Sequence, residues 1–229
     1  MSAHAVLVVA KSPVAGRVKT RLGAEVGMAY AADLAAAALL DTLSTSARVF
    51  GRGRRYLALH GSLEDLHPSS HRRSLVLEAR GWSLIPQRGK GFGARLRHAH
   101  EDVARLSGGP VVQVGMDTPH LDAAVLGHAG ELVGTARTAV VGPAYDGGWW
   151  LLGVSDPRLV GALPSVPMST RNTGLATRRM LARAGATTHL VETLRDVDTA
   201  ADADQVAALA PHSHFARAWS GGGERWLAG

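Results

Sequence analysis

The chain has 229 residues, of which 46% are hydrophobic, so it is long enough to bury one sizeable core. It contains no cysteine, which excludes disulfides and thiolate metal sites and leaves carboxylates, histidines and backbone oxygens as metal ligands. The formal net charge is +6, but the basic residues are scattered and only 5% of residues are aromatic, which favours small anionic ligands over nucleic acid.

Strand-like and helix-like segments alternate along the chain. In chain order the patterns predict a strand over 5–10, a helix over 27–47, strands over 55–60 and 82–86, a helix over 94–106, a strand over 110–115, a helix over 121–133, a capped helix ending at 185, a strand from about 189 and a last helix. Such alternation is typical of an α/β fold, a three-layer, Rossmann-like and mostly parallel sheet with helices on both faces.

Residues 139–154 interrupt this alternation. Two apolar runs are joined there by Asp146, Gly147 and Gly148, and Asp-Gly between apolar runs is typical of a chain reversal. We therefore expect an antiparallel element in the sheet. Of Trp149 and Trp150, we expect one to pack in the core and the other to face a cleft or solvent.

The remaining chain-level expectations concern its extent and location. We expect one domain over residues 1–210 and a loosely held C-terminal tail over 211–229. The first apolar run is short, lacks preceding basic residues and stops at Lys11 and Pro13, so it does not resemble a signal peptide. The Ala-rich segment 28–43 contains two aspartates and is typical of a core helix, not a membrane span. These features predict a cytoplasmic protein without membrane contact and leave the oligomeric state open.

A basic loop follows the first predicted strand. The segment AKSPVAGRVKTRLG carries four cations and two glycines after the apolar run: Lys11, Gly16, Arg17, Lys19, Arg21 and Gly23. Glycines allow backbone N–H groups to approach oxygens closely, and the cations could neutralise a polyphosphate. A solvated basic loop remains the alternative. No GxGxxG follows the strand, and Val18 stands where a P-loop needs glycine, so neither nucleotide fingerprint is present.

Acidic residues follow two of the predicted strands. Asp117 comes directly after the buried strand over 110–115, where a carboxylate could hold Mg²⁺ or Mn²⁺. The alternative is a helix cap, although Asp122 is better placed for capping. Asp196 and Asp198 alternate on one face before the last helix, and one of them could complete a metal site with Asp117. Acids at a helix start are also common caps.

Four short motifs occur in order between Val6 and Asp202: AKSPVAGRVKTRL, GMDTPHL, GPAYDGGWWLLGV and DVDTAAD. Together they resemble the glycosyltransferase-A-like, nucleotide-diphospho-sugar-transferase superfamily. More closely, they are similar to its branch labelled radical-SAM/selenodomain-associated transferase 1, whose relatives include guanylyltransferases of molybdenum-cofactor and phospholactate metabolism. The resemblance implies a Rossmann-like sheet whose crevice binds a nucleotide and a divalent metal, Mg²⁺ or Mn²⁺.

The family pattern also implies roles for individual residues. The implied catalytic residues are Lys19, Arg21 and Asp117, and the implied metal ligands are Asp117 and Asp198. The implied nucleotide-binding residues are Lys11, Gly16, Arg17, Lys19, Gln87, Gly91 and Gly93, the last three near the base and sugar. Asp146, Gly147 and Gly148 would border the acceptor.

The chain departs from the family pattern mainly on the acceptor side. Thr118 stands where the branch commonly has cysteine, Tyr145 replaces an acid, Met168 replaces tryptophan, and DTAAD replaces DTPED. The implied metal ligands are retained.

These observations predict a metal-dependent nucleotidyltransferase that moves an NMP from an NTP to a small anionic, phosphate-bearing acceptor with release of pyrophosphate. One alternative is a glycosyltransferase that uses an NDP-sugar. Another is a non-catalytic nucleotide-binding module, which the altered acceptor-side residues leave open.

Overall fold

The apolar runs of the chain form the strands of a single sheet. The computed structural model describes residues 4–66 and 70–226. The strands are β1 (Ala5–Lys11), β2 (Arg55–His60), β3 (Ser83–Pro86), β4 (Val111–Val114), β5 (Thr138–Pro143), β6 (Trp149–Val154) and β7 (Thr187–Leu190). Over the described part of the chain, they are ordered β3-β2-β1-β4-β6-β5-β7.

One strand runs against the others. β1 pairs in parallel with β2 and β4, β2 with β3, and β5 with β7, whereas β6 is antiparallel to both β4 and β5. The predicted mostly parallel sheet with an antiparallel element near 139–154 is therefore confirmed. Because β6 is reversed, its first residue, Trp149, lies at the edge where the parallel strands end.

Helices cover both faces of the sheet. They are α1 (Thr20–Val26), α2 (Met28–Val49), α3 (Arg72–Ala79), α4 (Phe92–Ser107), α5 (Ala123–Leu132), α6 (Thr173–Arg183), α7 (Ala200–Leu209) and α8 (His214–Trp226). Side chains of α2, α3 and α5 pack on one face and those of α4 and α6 on the other, which confirms the three-layer α/β class. Within the described residues, none of the helices combines the length and apolar character needed to span a membrane.

Helix α1 lies in a segment that the sequence predicts as loop. Leu22 is fully buried and Val26 nearly so, in a cluster shared with α2, α7 and α8. Gly27 separates α1 from α2 with a positive φ of 91°, and its N–H donates to the carbonyl of Gly23 at 2.9 Å. The predicted helix over 27–47 thus corresponds to α2, but the short helix α1 precedes it. Tertiary packing of α1 overrides the turn-like composition of this segment.

The expectation of a loosely held C-terminal tail is wrong for helix α8. Phe215 is 1% exposed and packs in the same cluster as α1. The buried carboxylate of Asp41 in α2 accepts hydrogen bonds from the N–H groups of His214 and Phe215, at 2.9 and 2.8 Å. Burial raises the pKa of Asp41, and these two N–H groups oppose that shift. Residues 227–229 of the predicted tail lie outside the described residues.

A histidine without hydrogen-bonded ring nitrogens is buried between α4 and the sheet. His100 is fully buried beside Gln113 of β4, and neither ring nitrogen has a partner at hydrogen-bonding geometry. Burial lowers the pKa of His100 to about 4, and Gln113 opposes this only in part. The native state therefore holds His100 neutral in a pH range where the unfolded chain would protonate it.

This asymmetry makes stability depend on pH. The unfolded state takes up the proton as the pH falls below about 6.5, so the contribution of His100 to stability is lost progressively until the pH reaches about 4. At pH 5 the loss that comes from His100 is about 2 kcal/mol relative to neutral pH. Because other groups, among them Asp196, also titrate in this range, the test compares variants. Urea unfolding should show a change in the free energy of unfolding from pH 7.5 to pH 5 that is about 2 kcal/mol less favourable in the wild type than in His100→Leu. The control His128→Leu changes an exposed histidine. Equal pH dependence of His100→Leu and the wild type would contradict the assignment.

Truncation of Phe215 tests whether α8 belongs to the core. Because Phe215 is fully buried, Phe215→Ala should lower the free energy of unfolding by about 3–5 kcal/mol. Leu209→Ala is a suitable control, since Leu209 is 67% exposed and should cost less than about 0.5 kcal/mol. Denaturant unfolding of both variants measures the difference, and similar small losses would mean that α8 contributes little to the core.

Candidate active site

A cavity opens at the edge of the sheet where the parallel strands end. Its volume is about 400 Å³, and the ends of β1, β2 and β3, the start of β6 and the segment before α6 contribute to its wall. Such edges are the usual ligand sites of open α/β sheets. Six of the residues implicated by the sequence line the cavity: Lys11, Gln87, Asp117, Asp146, Gly148 and Asp196.

Lys19 lies between two carboxylates from distant parts of the chain. Its Nζ is 3.0 Å from Oδ1 of Asp117 and 3.3 Å from Oδ1 of Asp198, and its side chain is only 8% exposed. Burial alone would lower the pKa of Lys19, but the two carboxylates more than offset this effect, so the pKa is raised. The structure therefore brings together the three predicted residues Lys19, Asp117 and Asp198.

Backbone contacts fix the segment that carries Asp198. The N–H of Val197 donates to the carbonyl of Asp117 at 3.2 Å, which ties this segment to the end of β4. Thr199 and Asp202 form a reciprocal capping box at the start of α7. Arg21 also reaches Oδ2 of Asp198, at 3.2 Å, but its side chain is 77% exposed.

A third carboxylate, Asp196, lines the cavity beside this group. Burial raises the pKa of Asp196 to about 7, with a further contribution from Asp117, while Lys19 acts in the opposite direction. The sequence pattern singled out both Asp196 and Asp198. The structure gives them different surroundings, because Asp198 pairs with Lys19 and Arg21 whereas Asp196 faces the cavity.

The carboxylates of Asp117 and Asp198 are suitable ligands for the predicted divalent cation, which prefers oxygen atoms. Over residues 4–66 and 70–226, there is no group of three or more acidic or histidine side chains arranged to hold a metal ion. However, Mg²⁺ is often bound through one or two carboxylates, with waters and substrate phosphates as its other ligands. Asp117 and Asp198 already share one cation, the Lys19 ammonium, so both carboxylates are directed at the same point.

The three residues predicted to lie near the base and sugar differ in how much they leave free for a ligand. Both donors of the Gln87 amide bond backbone carbonyls, those of Ala10 and Ala58, at 2.9 and 2.8 Å. Only the carbonyl oxygen of Gln87 therefore remains for a ligand. Gly91 is the N-cap residue of α4, with φ of 81° and no atom within 4 Å of a Cβ position. Gly93 is buried against the backbone of Leu163, where a Cβ would lie 2.5 Å from the carbonyl oxygen, so packing alone requires glycine there.

The glycines of the basic loop also differ from each other. Gly16 has φ of 73° and no neighbour within 4 Å of a Cβ position, so it remains available for close approach to a ligand, beside the exposed Arg17. Gly23 lies inside α1, and its N–H bonds the carbonyl of Lys19 at 2.7 Å. The expectation that Gly23 exposes its N–H to phosphate oxygens is therefore wrong.

The turn between β5 and β6 is packed against the start of α6. Gly147 has φ of 88°, and a Cβ there would lie 2.1 Å from the carbonyl oxygen of Arg171. The N–H of Gly174 donates to the carbonyl of Gly147 at 2.8 Å. Asp146 accepts a hydrogen bond from the N–H of Gly148 at 2.7 Å, which tightens the turn. Packing alone therefore explains why residue 147 is glycine, while Asp146 and Gly148 face the cavity.

Sequence reasoning missed Arg95 and Gln113 of the cavity wall. Arg95 of α4 lines the cavity with its guanidinium 5.7 Å from the ring centre of Phe92. Gln113 also lines the cavity. It is a polar residue inside an apolar strand, and this break in the apolar pattern could have indicated a site residue. Ser169 lines the cavity in a left-handed conformation with φ of 58°. Both tryptophans also line it, Trp150 being 2% exposed and Trp149 partly exposed, in agreement with the expected division.

Comparison with known proteins places the chain in a family. Residues 42–170 match the sequence model described as "uncharacterized protein conserved in bacteria (DUF2064)". The chain belongs to the DUF2064 family. The matched range includes Gln87, Asp117 and the turn at Asp146, but begins after Lys19 and ends before Asp198. No curated protein sequence matched significantly.

Solved structures share the fold. A proposed nucleotide-diphospho-sugar transferase from Desulfovibrio desulfuricans G20 is 24% identical, with a TM-score of 0.77, covering 96% of this chain and 94% of that one. A 4-diphosphocytidyl-2C-methyl-D-erythritol synthase is 12% identical, with a TM-score of 0.56 and coverage of 91% and 98%. A cytidylyltransferase from Leptospira borgpetersenii is 11% identical, with a TM-score of 0.51 and coverage of 86% and 79%. The predicted glycosyltransferase-A-like fold is confirmed.

The packing of the turn predicts a difference between two glycines of the site. Gly147→Ala should lower the free energy of unfolding by more than about 2 kcal/mol, because it adds a clash with the Arg171 backbone to an unfavourable φ. Gly16→Ala has a similar φ but open space, so its cost should be about 1 kcal/mol. Urea denaturation of both variants tests this. A Gly147 variant as stable as the Gly16 variant would show that the turn moves away from Arg171.

Proposed function

We propose that the protein is a metal-dependent nucleotidyltransferase. It would move an NMP from an NTP to a small anionic, phosphate-bearing acceptor and release pyrophosphate. The observation that carries this proposal is the group formed by Lys19, Asp117 and Asp198 beside a cavity of about 400 Å³. The basic loop, the acidic pair and a volume suited to a small substrate meet at one edge of the sheet. The names of the structural neighbours agree with nucleotide substrates.

The reaction needs no residue that removes a proton. In the proposed step an oxygen of the acceptor phosphate attacks the α-phosphorus of the NTP. A new P–O bond forms while the bond to the β-phosphate oxygen breaks, and pyrophosphate departs with the electron pair. A phosphate monoester is largely ionised near neutral pH, so it is already a nucleophile.

The residues at the site would divide the work between binding and charge stabilisation. Arg17, Lys19 and Arg21 face the triphosphate in the proposal, and their charge stabilises the departing pyrophosphate. The cavity beside Asp146 would hold the acceptor. Bound Mg²⁺ or Mn²⁺, held by Asp117 and Asp198, would supply further positive charge to the phosphate oxygens.

Calorimetry with ATP, GTP, CTP and UTP, with and without Mg²⁺, tests the proposal. We expect metal-dependent binding of one NTP, weakened at least about tenfold in Asp117→Ala, because the variant loses a carboxylate ligand. Asp122→Ala is the matched control, since Asp122 caps α5 through two backbone N–H groups and does not line the cavity. It should bind the NTP like the wild type.

The outcomes separate the alternatives. Binding of NDP-sugars but no NTP would favour sugar transfer. Binding of an NTP without pyrophosphate release in the presence of phosphorylated small molecules would favour a non-catalytic nucleotide-binding module. Absence of binding to all of these ligands would refute a nucleotide site.

A further inference from the structure

The position expected for a divalent cation already contains a cation of the protein itself. The Lys19 ammonium lies within 3.3 Å of one oxygen of each predicted metal ligand, Asp117 and Asp198. With its side chain only 8% exposed, the ammonium is shielded from water, so its charge acts strongly on its neighbours. A metal ion that binds both carboxylates would have to take the place of this ammonium.

The backbone directs Lys19 into this position. Lys19 has φ of 47° and ψ of 44°, a left-handed conformation that residues with a Cβ rarely adopt. It immediately precedes α1, which is anchored in the core by Leu22. The preceding residue, Val18, is also buried at 7% exposure. Buried Val18 before it and buried Leu22 three residues after it therefore hold the backbone at Lys19.

The side chain of Lys19 nevertheless has a route to a different partner. Lysine carries its charge on a flexible four-carbon stem and binds phosphate as a point charge. The neighbouring loop residues Gly16 and Arg17 lie at the surface, and Arg21 is 77% exposed. A polyphosphate on this basic surface would offer Lys19 new anionic partners without movement of the backbone.

We propose that Lys19 acts as the resident cation of the carboxylate pair and excludes free divalent metal until a nucleotide arrives. The inference rests on the proposed function, because it assigns the metal to Asp117 and Asp198. A free divalent ion at Asp117 and Asp198 would lie beside the Lys19 ammonium, and two positive charges so close together repel strongly. The phosphates of the nucleotide draw the ammonium away and expose both carboxylates. The metal therefore enters as its complex with the nucleotide and not ahead of it.

Binding of Mn²⁺ alone, measured by electron paramagnetic resonance without nucleotide, tests this inference. The informative variant is Lys19→Gly, which removes the ammonium and also relieves the left-handed conformation, so it should fold. Lys19→Met keeps the stem and removes only the charge. Both variants should bind Mn²⁺ at least about tenfold more tightly than the wild type, because repulsion from the ammonium is gone.

Two control variants locate the effect. Arg21→Met removes the other cation on Asp198 but should change Mn²⁺ affinity much less, because Arg21 is exposed and its charge is screened. Adding Asp117→Asn to Lys19→Gly should abolish the gain. Equal Mn²⁺ affinity in the wild type and both Lys19 variants would overturn the inference, and so would a gain that survives Asp117→Asn.

Failure of this inference is distinguishable from failure of the proposed function. The Mn²⁺ titration contains no nucleotide, so it reports only on the ammonium and the carboxylates. NTP binding with unchanged Mn²⁺ affinity in the Lys19 variants would leave the nucleotidyltransferase proposal intact and refute the resident cation. A gain in Mn²⁺ affinity without any NTP binding would support the exclusion of metal by Lys19 but refute the nucleotide as the trigger that removes it.

Discussion

One buried ammonium joins three segments that are far apart in the chain. Lys19 follows the first strand, Asp117 follows β4, and Asp198 precedes α7, yet one Nζ contacts both carboxylates. Burying an ion is costly unless opposite charges compensate it. Here two carboxylates compensate one ammonium, which is why the pKa of Lys19 is raised in spite of its burial. The candidate active site depends on this group remaining assembled.

The position of Lys19 depends in turn on the outer layer of helices. Helix α1, which begins directly after Lys19, packs through Leu22 in a cluster with Leu34 of α2, Val206 of α7 and Phe215 of α8. Helices α7 and α8 therefore hold α1 in place, and with it the end of the basic loop. Their contribution to the site is indirect: they set the backbone from which the lysine side chain extends.

The reversed strand gives the cavity its second wall. Because β6 starts at the edge where β1 and β4 end, the turn that contains Asp146 lies across the site from Gln87. Close packing of Gly147 on Arg171 joins this turn to the segment that contains Ser169. The chain differs most in this region from the pattern of the family that it resembles, so under the proposed function recognition of the acceptor is expected to be specific to this protein.

The sequence by itself determined the strands, the reversal near Asp146 and the placement of the basic loop and Asp117, because apolar periodicity and topology bring such residues to the carboxyl edge of a sheet. It could not determine helix α1 or α8, since short or glycine-containing helices are stable only through tertiary packing. The pattern of acids also left Asp196 and Asp198 equivalent, and only the family resemblance implied Asp198 as the metal ligand. Only the tertiary structure decided that Asp198 pairs with the Lys19 ammonium while Asp196 faces the cavity, because their surroundings come from segments distant in the sequence.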